Sequence, residues 1–126
     1  MRKFCLALMA IPIIAAFSSA PILAQNISKP YDEKLFRLSK LLGAAHYLRE
    51  LCDANDGQKW RDNMKALLEA EGISPARKAA MSRHFNRGYR GYSRTYRSCT
   101  PPARDTTERF MEEAISITDE LIKFSP

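Results

Sequence analysis

The sequence predicts an all-α protein, a small up-down bundle of about four helices tied by one disulfide. Three observations carry this expectation. Apolar residues recur at steps of three and four along four stretches, and no stretch alternates in the manner of a strand. Gly, Pro and an Asn-Asp-Gly run separate these stretches by short links, which favours antiparallel neighbours. Cys52 and Cys99 close the first and third stretches, which end on the same side in an alternating bundle. The 126 residues, 45% hydrophobic and 27% charged, amount to one domain of ordinary globular composition. That excludes a multidomain enzyme and argues against wholesale disorder.

The first segment reads as an address. Arg2 and Lys3 precede an uncharged apolar run from Phe4 to Phe17, and small residues follow at Ser18, Ser19 and Ala20. This is the layout of a secretory signal peptide. Cleavage is expected after Ala24, so residues 1–24 leave, 25–30 form a flexible arm and 31–126 form a single helical domain. An uncleaved anchor is the competing reading, but a span needs roughly 20 apolar residues and Pro12 interrupts this run. No stable membrane insertion of the mature chain is expected.

Cys5 leaves with the leader, and Cys52 and Cys99 remain. An even pair in an exported small domain reads as a disulfide, with two buried free thiols as the alternative. The bridge would close a loop of about 48 residues and contribute roughly 4 kcal/mol on the chain-entropy account. Two cysteines at the same end of parallel helices can meet the 4.4–6.8 Å Cα separation a bridge requires.

The first helix is expected over about Asp32–Asp53, with Asp32 as N-cap. Leu35, Leu38, Leu42, Ala45, Leu48 and Cys52 give it one apolar stripe, and Asn55-Asp56-Gly57 punctuates its end. The second spans about Gln58–Glu71. Trp60, Met64, Leu67 and Leu68 share a face, and Gly72 takes the C′ position. The third opens with Ser74-Pro75, an N-cap followed by proline in the first turn, and runs to about Ser98. The fourth begins near Pro102 or Asp105 and reaches about Phe124, with Phe110, Ala114, Ile117, Leu121 and Phe124 on one side.

The third helix is the informative one. Phe85, Tyr89, Tyr92, Tyr96 and Cys99 follow steps of 4, 3, 4 and 3. Arg83, Arg87, Arg90, Arg94 and Arg97 follow the same steps, offset by two residues, which is about 200° of rotation. The aromatic stripe ends in the bridging cysteine and is expected to face the core. The arginine row then faces water. Every member is Arg, which suits bidentate recognition of carboxylate or phosphate. Residues 72–104 hold eight basic side chains and no acidic one. Three readings compete: a partner-binding surface, neutralisation by acids of the fourth helix such as Glu108, Glu112 and Glu113, and plain solubility. Gly88 and Gly91 are poor helix formers that would let another backbone approach. Nucleic acid is the habitual partner of such a row, but export argues against it.

No catalytic constellation emerges. His46 and Cys52 are six apart, which is not a reach-compatible helical spacing, and a disulfide would remove the nucleophile. Glu112 and Glu113 point about 100° apart on a helix. The Asp53–Gly57 run fails the register of a calcium loop and reads as a turn. Asn26-Ile27-Ser28 matches a glycosylation sequon of a kind common by chance. Trp60 reads as a core anchor, while Arg49, Arg61 and Asn86 stay open as surface contacts. No metal or cofactor is implied, and an enzyme is not expected.

Phe85-Asn86-Arg87-Gly88-Tyr89-Arg90, continued by Tyr96 and Cys99, resembles a known pattern. So do Leu42-Gly43-Ala44, His46-Tyr47-Leu48-Arg49, Leu51-Cys52 and Trp60-Arg61 with Met64. Together they are similar to the NtrZ-like family of short exported alphaproteobacterial proteins, which includes a periplasmic inhibitor of the histidine kinase NtrY. The resemblance runs from Tyr31 to Phe124. It implies a periplasmic regulator that binds and restrains the extracytoplasmic domain of a sensor kinase. On the residues alone, a binding module for an anionic envelope component, such as lipopolysaccharide phosphates or teichoic-like polymers, is the alternative.

Overall fold

The computed structural model describes residues 28–124. The expected leader, its cleavage point and the first part of the arm lie outside the described residues. Four helices follow: α1 Asp32–Leu51, α2 Lys59–Glu71, α3 Pro75–Thr95 and α4 Pro101–Ile122. They form the expected all-α up-down bundle. The Cys52–Cys99 disulfide is formed, with a Cα separation of 5.0 Å.

The helix ends follow local chemistry. Ser74 Oγ accepts from the Arg77 backbone N–H at 3.1 Å, which fixes the start of α3 as expected. Thr100 Oγ1 accepts from the Ala103 N–H at 3.3 Å. That cap moves the start of α4 to Pro101, ahead of the expected Pro102 or Asp105. Asp32 is not the N-cap of α1; Tyr31 holds that position without a side-chain cap. The Asp32 carboxylate accepts from the Lys29 backbone N–H at 2.9 Å and forms an ion pair with Arg77. α1 stops at Leu51, before the expected Asp53, because Asp53 and Asn55 turn the chain through positive φ.

The arrangement is less square than a four-helix bundle. α1 packs against all three other helices, and α2 also touches α3, whereas the backbones of α4 and α2, and of α4 and α3, stay apart. α1 is therefore enclosed on three sides. The expected stripe of Leu35, Leu38, Leu42, Ala45 and Leu48 is buried, and so are Ser39, Leu41, Gly43, Ala44 and His46. A single-stripe reading understates α1 because it assumes one solvent face.

α1 and α3 make the closest seam. A Cβ on Gly43 would collide with the Phe85 carbonyl, and one on Gly88 with the Lys40 carbonyl. Gly88 thus serves the close approach expected of it, with α1 as the neighbour. Gly91 has no atom near its missing side chain and does not.

Candidate interaction surface

α3 points its rings inward. Phe85 is buried, and Tyr89, Tyr92 and Tyr96 are half-buried. Tyr89 packs edge-on to Tyr47 at 5.4 Å, and Tyr92 edge-on to Phe110 at 4.9 Å. The Tyr96 hydroxyl bonds Thr106 Oγ1 at 3.1 Å, and the Tyr96 carbonyl accepts from the Tyr47 hydroxyl. The last two contacts explain a departure from expectation. Tyr96 leaves helical geometry for extended backbone, and α3 ends at Thr95 instead of near Ser98. The chain then swings Cys99 toward Cys52.

That turn divides the arginine row. Arg83, Arg87, Arg90 and Arg94 remain on one helical face, and Arg97 lies past the helix end. All five are exposed. Among the described residues none of the five forms an ion pair; the acids facing α1 are engaged by other cations. Glu113 takes a bidentate pair from Arg37 at 2.6 and 2.7 Å, and Glu120 pairs with Lys34. The backbones of α4 and α3 do not approach each other. Neutralisation of the row by α4 is therefore not what the fold contains. Arg83, Asn86, Arg87, Arg90 and Arg94 surround a shallow cleft of about 370 Å³, and Gly91 forms part of its lining. With no side chain there, the guanidinium groups border an open notch.

The field of the row reaches His84, which stacks flat on Phe36 at 5.0 Å. Burial, reinforced by Arg87, Arg83 and Lys40, holds its pKa below the ordinary histidine value. His84 therefore adds no further cation at neutral pH.

Arg77 belongs to the same basic stretch and behaves otherwise. It is buried, paired with Asp32 and Glu71, and its Nε donates to the Glu71 carbonyl at 2.7 Å. Glu71 also accepts from the Tyr31 hydroxyl at 3.0 Å. In the sequence Arg77 is one of eight alike basic residues between 72 and 104. Its position alone sets it apart, three residues past the Ser74 cap in the first turn of α3.

A second polar cluster closes the α1–α2 turn. Asp56 accepts from Arg49 Nη2 and from Trp60 Nε1, each at 2.9 Å. These bonds hold the Asp56 carboxyl well below the usual carboxylate range, Arg49 contributing most. Arg61 Nε donates to His46 Nε2 at 2.9 Å. Burial lowers the His46 pKa, and Arg61 lowers it further. Trp60 is buried, as expected of a core anchor. Arg49 and Arg61 serve internal contacts, while Asn86 joins the arginine cleft.

Among the described residues no group of three or more His, Cys, Asp and Glu converges to hold a metal ion. None of the described helices is long and apolar enough to cross a membrane.

Residues 30–124 match the family model described as "Protein of unknown function (DUF2385)". The chain belongs to that family. No curated protein and no solved structure matches this DUF2385 chain.

Proposed function

We propose that this protein is a periplasmic, non-catalytic regulator whose arginine row docks on an acidic surface of the extracytoplasmic domain of a sensor histidine kinase and restrains it. One observation carries the docking surface: Arg83, Arg87, Arg90 and Arg94 stand exposed around the notch at Gly91, with no ion pair among the described residues. Four like charges in a row repel one another, and among the described residues none of them is paired with a carboxylate. Guanidinium groups bind carboxylates bidentately. The kinase as partner rests on the resemblance to the NtrZ-like family, and the periplasmic setting on the leader-like residues 1–24.

The test is triple charge reversal, Arg87→Glu with Arg90→Glu and Arg94→Glu. All three side chains point to water, so circular dichroism should show an unchanged helix content. Association with the kinase's extracytoplasmic domain should fall at least a hundredfold. Normal binding by the folded triple variant would remove this surface from the reading.

The alternative ligand is an anionic envelope polymer, which the same arginines suit through phosphate recognition. Its binding would weaken steeply with salt and would recover polymer without a protein partner from envelope extract.

A further inference from the structure

The arginine row on α3 has a counterpart on α4. Asp105, Glu108, Glu112, Ile115, Asp119 and Ile122 follow steps of 3, 4, 3, 4 and 3. They fall within about 100° of arc round the helix, and all six are exposed. Ile115 and Ile122, at 63% and 64%, are large apolar side chains left in water. None of the four carboxylates forms an ion pair among the described residues. The cations of α4 do not offset the stripe. Arg109 stands about 100° from Glu108 and donates to Thr106 Oγ1 at 3.2 Å. Arg104, one turn before Glu108, donates to Cys99 Sγ at 3.4 Å. Lys123 follows at the C-cap. Arg49, which shares a cleft with Glu108, is held by Asp56.

The two stripes match in order. On α3 the same steps run Ala80, Arg83, Arg87, Arg90 and Arg94. Laid antiparallel, they set Arg94 opposite Glu108, Arg90 opposite Glu112, Arg83 opposite Asp119 and Ala80 opposite Ile122. Ile115 falls opposite Arg87, whose aliphatic stem can lie along it. A parallel pairing would set Ala80 opposite Asp105 and Ile122 opposite Arg97, apolar against charge both times. Within one chain the stripes cannot meet. α3 and α4 touch through their rings, Tyr92 edge-on to Phe110 at 4.9 Å. Tyr92 lies about 180° from Arg83, and Phe110 about 200° from Glu108, so the charged faces point away from that contact. A second copy can supply what α4 of the same chain does not.

We infer that the arginine row of one copy binds the acidic stripe on α4 of a second copy, antiparallel, so that the protein associates with itself head to tail. Such a contact is heterologous, and copies joined by it add into a ring or a chain. Exposed ion pairs are individually worth little, so the association is reversible and forms as concentration rises. Where the row also docks on a kinase, as proposed, copy and kinase compete for it. The contact between copies itself does not depend on the kinase.

Sedimentation equilibrium of the purified protein should show the average mass rising with concentration at low salt. Association should weaken at least tenfold in about 1 M salt, where the Debye length is about 3 Å. Glu108→Arg with Glu112→Arg and Asp119→Arg, all at exposed positions, should keep the helix content and leave the protein monomeric. Arg87→Glu with Arg90→Glu and Arg94→Glu should leave it monomeric too. An equimolar mixture of the two variants should associate, because the intact row of the first meets the intact stripe of the second. Reversal on α4 spares the row, so binding to the extracytoplasmic domain of the kinase should persist. Kinase binding by a protein that stays monomeric would sink the self-contact alone, and self-association without kinase binding would sink the kinase alone. A parent protein monomeric at every concentration, association that survives reversal on α4, or a mixture that stays monomeric would each overturn the inference.

Discussion

The two ends of α3 carry the same residue type to opposite fates. At its start, Arg77 turns toward α1 and α2 and is buried between Asp32 and Glu71. Over its remaining turns, Arg83, Arg87, Arg90 and Arg94 turn away and stay in water. The difference is one of rotation. Arg77 lies eight residues before Phe85, about 80° from that core-facing ring, whereas Arg87 lies two residues after it, about 200° round the helix. An arginine within reach of the core side finds carboxylates already placed there by α1 and α2. One on the far side finds none, because neither α2 nor α4 extends around α3. Charge on this helix is thus structural at one end and available for recognition at the other.

Removing Arg77 attacks that contrast most directly. Arg77→Ala would leave Asp32 and Glu71 without their cation and the Glu71 carbonyl without its donor. Breaking a buried ion pair costs about 3–5 kcal/mol; Glu71 is 29% exposed in its side chain, which places the expected loss near the lower end. Urea unfolding should show the midpoint falling with an unchanged slope. A stability within about 0.5 kcal/mol of the parent, the usual range for surface changes, would show that Arg77 is no different in kind from the row.

The disulfide acts at the other end of α3. It joins residues 47 apart, and on the chain-entropy account its removal costs at most about 4 kcal/mol. The expected loss for Cys52→Ser with Cys99→Ser is smaller, because Tyr96 is also anchored to Tyr47 and Thr106. Amide exchange should quicken over 96–100 while the middle of α3, pinned by Gly88 against α1, stays protected. Equal loosening along all of α3 would mean that the bridge, and not the glycine seam, holds the row in register.

Much of this was legible in the sequence. Helix count, the cysteine pairing and the opposition of rings and guanidiniums on α3 all follow from spacing, which records rotation about a helix axis. What spacing does not record is which neighbour stands on each side. The burial of His46 and Ala44 on nominally minor faces of α1 depends on three helices enclosing α1. The pairing of Glu113 with Arg37 depends on the approach of α4 to α1. Tyr96 shows the same limit locally. It continues the aromatic spacing, yet two tertiary hydrogen bonds draw it out of the helix, and Arg97 leaves the row with it.

The smallest effect is the most diagnostic of what the row is for. Arg90 has like-charged neighbours three residues before it at Arg87 and four after it at Arg94, and no anion to offset them among the described residues. Each such pair on a helix surface is unfavourable by about 0.2–0.5 kcal/mol. Arg90→Ala removes two of them and adds the better helix former, so unfolding should show stability unchanged or raised by up to about 1 kcal/mol. The gain should shrink as salt screens the repulsion. A loss of 1 kcal/mol or more would mean that Arg90 makes a contact the fold depends on. A gain would mean that the folded protein carries this arginine at a cost to its own stability, as the exposed, unneutralised row requires.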